Sequence, residues 1–428
     1  MSGRMMRLIG WLVLALLATP AAAREAGPDL RARADDVVAL INGGGDPATL
    51  FAPAFLAQVP PERMRAISSQ LVQQYGRARR IAAIAPRGAN AGAADIETER
   101  GTLHVLIGIA ADPPHRIETL LVTGGDLRGD TIEAVMAEIR ALPGTTAVAL
   151  ARLGDGPPRT IGGIAPDRTM AIGSSFKLFI LAELDRQIRA GQRHWSDVVT
   201  LDRRSAPSGI LQGWPAGAPV TLQTLATLMI SISDNTAADM LLHTVGRENV
   251  EHMVATIGVE SAARDRPFLS TLEAFALKAA PDNAFAAWRN ADEAGRRAML
   301  ARDYAARDPA RLPADLFGGA PVRIDTLEWF ASPMDLVRTM DWLRRNGSET
   351  TRAILAVNPG NPALREGFAY VGYKGGSEPG VLNFTWLLRD RAGAWFVATG
   401  SWNNPAAAVD EARFLGLMTR AAGLLRAP

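Results

Sequence analysis

The chain has 428 residues, with 46 Lys and Arg against 44 Asp and Glu, 48% hydrophobic residues, five histidines and no cysteine. That length can bury a large core and suggests two domains, and the lack of cysteine excludes thiol nucleophiles, disulfide frameworks and cysteine-ligated zinc. Balanced charge argues against a nucleic-acid footprint, which needs basic residues clustered on one face, and His104, His115, His194, His243 and His252 show no metal-ligand spacing, so neither metal nor cofactor is expected.

Arg4 and Arg7 precede an apolar run, Leu8 to Ala18, and Thr19-Pro20-Ala21-Ala22-Ala23 ends in an A-x-A site. This is the pattern of a secretory signal over residues 1–23, and its apolar run is shorter than the roughly 20 residues of a spanning helix. Cleavage would remove two of the 46 basic residues and leave 44 against 44 acidic ones. The expected product is secreted or periplasmic, with no membrane attachment once cleaved.

Residues 29–124 read as one unit. Helical periodicity at Leu30 to Ile41, Ala48 to Gln58 and Arg63 to Tyr75 is followed by strand patterns at Arg80 to Ala85, Asp95 to Glu99, Leu103 to Ala110 and Arg116 to Val122. Helices followed by a meander predict a small α+β domain. The pattern resembles the cone-shaped fold of the steroid-isomerase and nuclear-transport-factor type. His104, inside an apolar strand, is expected to be a satisfied core residue, and Gly124-Gly125 is expected to be a turn.

A second unit spans residues 129–428. A helix at Ile132 to Leu142 and strands around Ala147 to Leu150 and Thr160 to Gly163 open it. Mostly helical sequence then runs to Phe368, with strands at Ala369 to Lys374, Phe384 to Leu388 and Trp395 to Thr399 and a closing helix over Pro405 to Leu425. Early and late strands enclosing helices predict an α/β sandwich, an antiparallel sheet flanked by helices.

Three short motifs carry the chemistry. Ser174-Ser175-Phe176-Lys177 opens the apolar helix predicted to run to Ala190. There a serine hydroxyl meets free N–H groups and the positive end of the helix dipole, with Lys177 one turn on. Desolvation can strip that lysine of its proton and make it a base for Ser174. Ser233-Asp234-Asn235 lies between two helical segments, where its serine could relay a proton and its asparagine grip a carbonyl, or where the trio could serve as a helix cap. Lys374-Gly375-Gly376 lies on a late strand, where paired glycines admit a ligand close to the backbone, or where the strand ends at a turn.

The order SSFK, SDN, KGG resembles the S-x-x-K, S-D-N, K-T-G signature of class A β-lactamases and penicillin-binding proteins. The resemblance covers about Gly129 to Pro428 and implies a serine hydrolase of the β-lactamase and DD-peptidase fold. It implies Ser174, Lys177, Ser233 and Lys374 as catalytic residues, Asn235, Gly376 and Ser377 as substrate-binding residues, and a small-molecule β-lactam, ester or cell-wall-like peptide as substrate. A small α+β domain ahead of such a domain is similar to the two-domain β-lactamase-like esterases of β-lactam biosynthesis clusters.

Lysine occurs only at Lys177, Lys278 and Lys374, the other 43 basic residues being arginine. Arginine cannot release a proton at ordinary pH, whereas a buried lysine can, so two of the three lysines fall where proton transfer would demand them. Lys278 reads as a structural residue or pocket edge.

Two departures matter. Gly375 stands where the signature has a threonine, and the E-x-x-x-N pair that would activate a deacylating water is missing: Asp303 to Thr326 holds no glutamate. Glu328 is the nearest acid and reads as structural. The expectation is an acyl-enzyme at Ser174 that breaks down slowly. An efficient class A-like β-lactamase and a non-catalytic penicillin-recognising protein are the alternatives.

Overall fold

The computed structural model describes residues 26–304, 309–313, 316 and 319–426, and the expected export signal lies outside them. Two compact units divide between Arg128 and Gly129. No described helix is long and apolar enough to cross a membrane.

In the first unit, helices α1 (Pro28–Ile41), α2 (Pro47–Leu50), α3 (Pro53–Gln58) and α4 (Pro61–Tyr75) come first. An antiparallel meander of β1 (Ala78–Pro86), β2 (Ala91–Thr98), β3 (Gly101–Ile109) and β4 (Ile117–Leu127) follows. Each helix opens on a proline, tolerated in a first turn whose N–H groups lack intrahelical partners. The single helix expected over 48–58 is broken in two. Pro53 favours an extended Ala52, whose N–H donates to the Ile117 carbonyl at 2.9 Å.

Leu103, Val105, Ile107 and Ile109 alternate along β3 to join a core with Leu30, Ala34, Val37 and Ile41 of α1. That alternation turns His104 to the other face, so it is not the core residue expected. Its ring lies 2.8 Å from Asp95 and 3.2 Å from Asp126. Partial burial works to lower its pKa, but hydrogen bonds and charge from the two carboxylates prevail and raise it. Nor do Gly124 and Gly125 form a turn: β4 continues to Leu127 through an irregularity opposite His104 and Val105. Gly125 passes the Tyr75 ring, which would lie 2.7 Å from an added Cβ. The glycines therefore mark a bulge and a close approach.

The second unit begins with α5 (Ile132–Arg140), β5 (Thr145–Leu153) and β6 (Arg159–Ile164). The chain then leaves the sheet through β7 (Met170–Ala171), α6 (Lys177–Arg189), β8 (Val198–Thr200) and β9 (Pro219–Thr221). A helical block follows: α7 (Leu222–Ser231), α8 (Asn235–Val245), α9 (Arg247–Ile257), α10 (Thr271–Lys278), α11 (Asp282–Asn290) and α12 (Glu293–Met299). After β10 (Phe330–Ala331), which pairs with β7, come α13 (Pro333–Asn346), α14 (Glu349–Ala356) and α15 (Leu364–Gly367). The chain closes with β11 (Tyr370–Glu378), β12 (Val381–Arg389), β13 (Trp395–Asn403) and α16 (Glu411–Gly423). The last helix starts six residues later than Pro405 because Asp410 caps it, accepting from the Arg413 N–H.

Early and late strands form one antiparallel sheet in the order β11-β12-β13-β5-β6. Alternation gives it two buried faces. Val148, Leu150, Trp386, Leu388 and Ala398 pack with α5 and α16, while Ala149, Ala151, Leu387 and Val397 pack against the helical block. This is the expected α/β sandwich. Strand β11 is left at one edge, facing the helical block.

Candidate active site

Ser174 lies in a 3₁₀ turn, Gly173–Phe176, immediately ahead of α6. Its N–H is among those that a helix start leaves without an intrahelical acceptor. Glycine is required on both sides of the adjoining contact. Gly173 has φ +48°, and a Cβ there would fall 3.1 Å from the Ser377 nitrogen. A Cβ at Gly376 would fall 2.1 Å from the Ile172 oxygen and 2.5 Å from the Ser174 nitrogen. Only backbone fits between β11 and this turn, which brings Ser174 and Ser377 to the same end of one cleft.

The turn is anchored from below. Phe176 stacks on Trp329 with ring centroids 3.8 Å apart and meets Phe268 edge-on at 5.8 Å; such pairs contribute about 0.5–1.5 kcal/mol beyond burial alone. The Ser175 hydroxyl donates to Asn383 Oδ1 at 2.6 Å, and the Asn383 amide donates to Ser401 Oγ at 2.9 Å. The residue after Ser174 is thus tied to β12 and β13.

Lys177, whose side chain is fully buried, brings the motifs together. Its Nζ lies 3.2 Å from Ser174 Oγ, 2.7 Å from the Ser233 carbonyl oxygen, 3.0 Å from Ser233 Oγ and 2.6 Å from Asn235 Oδ1. Burial and the charge of Lys374 drive its pKa well below the ordinary lysine value, against the pull of Asp239 and Asp234. A neutral amine has two N–H bonds and one lone pair. Two of its four neighbours, the Ser233 carbonyl and the Asn235 amide oxygen, can only accept and take the N–H bonds. The lone pair is then free to receive a proton from a hydroxyl, and Ser174 Oγ is within reach.

Ser233 follows α7 with φ +58°, a left-handed backbone that non-glycine residues adopt only when held there. The holding group is a loop that the sequence reading missed. Ser208 Oγ donates to the Ser233 carbonyl at 2.7 Å, Asn235 Nδ2 donates to the Ala206 carbonyl at 2.9 Å, and the Asn235 N–H donates to the Ser208 carbonyl at 3.0 Å. Asp234 caps α8 through the Ala237 N–H and accepts from the N–H groups of Ile210 and Leu211 at 2.7 and 3.0 Å. The capping and site-forming readings of this trio therefore hold together. Gly209 could have signalled the loop: at φ +110° an added Cβ would fall 2.2 Å from Asp234.

From β11, Lys374 Nζ reaches Ser233 Oγ at 3.1 Å and bonds the Gly375 carbonyl, and burial lowers its pKa to about 7. The two motif lysines thus share one hydroxyl, although Ser233 and Lys374 are 141 positions apart. Ser174, Ser233, Asn235, Lys374, Gly376 and Ser377 all border a cleft of about 580 Å³, with Lys177 beneath its floor. Apolar walls come from Ile230, Ile232, Phe275, Leu382, Phe384 and Val409.

Glu328 does not line this cleft; Glu378, unremarked in the sequence, does. Lys278 Nζ lies 2.5 Å from Glu328 Oε1 and also bonds Glu378, so the third lysine ties two buried carboxyls together. Burial together with the charge and hydrogen bond of Glu328 raises the Glu378 pKa well above the usual carboxyl range, against Lys278. The signal for Glu378 was strand alternation, which sets residues 374, 376 and 378 on one face. Among the described residues no group of three or more His, Asp or Glu is placed to hold a metal ion.

The family described as "Beta-lactamase enzyme family" matches residues 129–373. Curated proteins give no match. Among solved structures, a β-lactamase from Sphaerobacter thermophilus DSM 20745 is similar at 25% identity and TM-score 0.48, covering 68% of this chain and 94% of that one. The protein PBP-A is similar at 17% identity and TM-score 0.46, with coverage of 68% and 94%. A β-lactamase from Chitinophaga pinensis DSM 2588 is similar at 17% identity and TM-score 0.47, with coverage of 68% and 96%.

Proposed function

The chain belongs to the beta-lactamase enzyme family and is a serine hydrolase of the β-lactamase and penicillin-binding kind; from this we propose that Ser174 attacks a β-lactam or related ester or amide, with Lys177 as base, to give a slowly hydrolysed acyl-enzyme. The observation that carries the reading is the buried Lys177 amine 3.2 Å from Ser174 Oγ, with two obligate acceptors already taking its N–H bonds. As the nucleophile closes on the carbonyl carbon, its proton passes to Lys177 and the carbonyl oxygen gains the negative charge. The N–H groups of Ser174 and Ser377 are the donors for that oxyanion. Collapse of the adduct expels the leaving group, which Ser233, between Lys177 and Lys374, protonates, while the Lys177 ammonium passes the proton it took from Ser174 on to Ser233. Asn235 holds Lys177 and faces the substrate. We read residues 1–23 as the signal that exports the enzyme, and the first unit, with its helices and meander, as a steroid-isomerase-like module.

Benzylpenicillin or a fluorophosphonate is expected to add one covalent group per chain, mapped by mass spectrometry to Ser174. Ser174→Ala should give none. An adduct of unchanged yield in that variant, or one mapped to Ser233, overturns the assignment.

The lysines set the expected pH dependence. Burial and the charge of Lys374 lower the Lys177 pKa well below that of an ordinary lysine, favouring its free amine; Lys374 loses its proton at about 7. The reaction needs the first neutral and the second charged. The second-order acylation rate should therefore rise from acid pH as Lys177 deprotonates and fall as pH passes about 7, the profile reporting the free enzyme. In Lys374→Arg, which keeps its charge, the alkaline fall should move to higher pH. An alkaline limb that stays put in that variant excludes Lys374 as its source.

A further inference from the structure

We propose that the Tyr373 hydroxyl binds an acceptor oxygen of the acyl donor, replacing the hydroxyl that Gly375 lacks. The proposal rests on the acyl-transfer reading above and deepens it by assigning a substrate-orienting residue. A Cβ added to Gly375 would fall 2.1 Å from the Tyr373 hydroxyl oxygen and 2.9 Å from the carbon that bears it. The phenol oxygen thus occupies the space in which a side chain at position 375 would begin. Glycine at 375 and tyrosine at 373 are one arrangement: a threonine there would collide with the ring.

The ring has little freedom. A Cβ on Gly360 would fall 2.7 Å from it, and Trp386 lies against it with centroids 5.3 Å apart. The hydroxyl, by contrast, makes no hydrogen bond within the protein among the described residues, while Tyr373 borders the cleft. Tyr373 is half-buried, and a hydroxyl at a cleft wall with no protein partner among the described residues is a donor open to a ligand. Burial, helped by the charge of Glu411, raises the phenol's pKa, so it remains a donor wherever the enzyme works.

Position gives that donor its meaning. Gly375 sits between Lys374, which reaches Ser233, and Gly376, which abuts Ser174. An acyl donor lying along the edge of β11 from the nucleophile toward the lysine would pass Gly375, with the Tyr373 hydroxyl at the strand's other face, where Tyr373 still borders the cleft. Among the described lining residues Lys374 is the sole cation, and the acids Glu378 and Glu411 share the wall. With no arginine there to fork onto an anion, an oxygen next to the scissile bond is held by Lys374 and the phenol.

The test reads binding apart from chemistry. In a Ser174→Ala background, benzylpenicillin and its methyl ester are titrated calorimetrically with and without Tyr373→Phe, which removes only the oxygen. The expected result is binding about tenfold weaker in the Phe variant, the size of one hydrogen bond to a charged acceptor, at an unchanged melting temperature. A loss for the free acid alone identifies a carboxylate as the acceptor, and an equal loss for both identifies a carbonyl; either supports the proposal. Unchanged affinity for both ligands overturns it, as does no measurable binding, or a loss accompanied by a lower melting temperature, which would make Tyr373 a packing residue. Failure of the acyl-transfer reading is separately visible as a wild-type chain that forms no adduct at Ser174.

Discussion

Lys177→Arg is expected to lower the acylation rate of Ser174 by about 10²–10⁴-fold, the range for losing a well-placed general base, whereas Lys374→Arg should stay within about tenfold of wild type. Both substitutions keep a positive charge, so the comparison separates charge from proton transfer. Guanidinium does not deprotonate in proteins, and at position 177 it must also fit a space where one nitrogen serves four oxygens within 3.2 Å. At 374 the charge itself is what acts on Ser233 and the substrate. Adduct formation with benzylpenicillin, followed over time by mass spectrometry, gives both rates. Equal and full activity in the two variants would remove Lys177 as the base.

Pre-steady-state mixing with a chromogenic cephalosporin should give a burst of about one equivalent followed by slow turnover. The E-x-x-x-N pair is missing from the sequence, and of the two acids that border the cleft, Glu378 and Glu411, the one on β11 is poorly suited to replace it. Glu378 is bonded to Lys278, and burial together with Glu328 raises its pKa well above the usual carboxyl range, which disfavours the free carboxylate that activating a water requires. Glu328 has its carboxylate on Lys278 and away from the cleft. Losing a general base costs about 10²–10⁴-fold in the step it serves, enough to make deacylation limiting. Small activated esters, whose acyl fragment obstructs water less, should be released faster. A trace without a burst, with turnover near the diffusional ceiling of about 10⁸ M⁻¹s⁻¹, would mean that another group supplies the base. Glu378→Gln would then be the first variant to make, because Glu378 borders the cleft and Glu328 does not.

The sequence by itself determined which motifs meet at the cleft and in what order. A serine one turn before a lysine, Ser-Asp-Asn between helices and Lys-Gly-Gly on a strand are local patterns, readable because periodicity and turn chemistry act over a few residues. The same holds for a sheet drawn from both ends of the second unit. Lysine usage was informative too: Lys177, Lys278 and Lys374 are all buried, where a compact amine fits. Other patterns were misread because their outcome is decided by neighbours far along the chain. Burial of His104 depended on which face of β3 met α1, and the role of Gly124-Gly125 on a register irregularity against β3 and the passage of Tyr75. Only the tertiary structure decided that the loop at 206–211 holds Ser233 in a left-handed conformation and that Glu378, rather than Glu328, borders the cleft. It also decided that the Tyr373 hydroxyl fills the space over Gly375. The loop's hold on Ser233 and the Lys278–Glu378 bond join residues 25 and 100 positions apart, and the Tyr373 ring is set by Gly360 and Trp386, so each outcome rests on packing that local pattern does not specify.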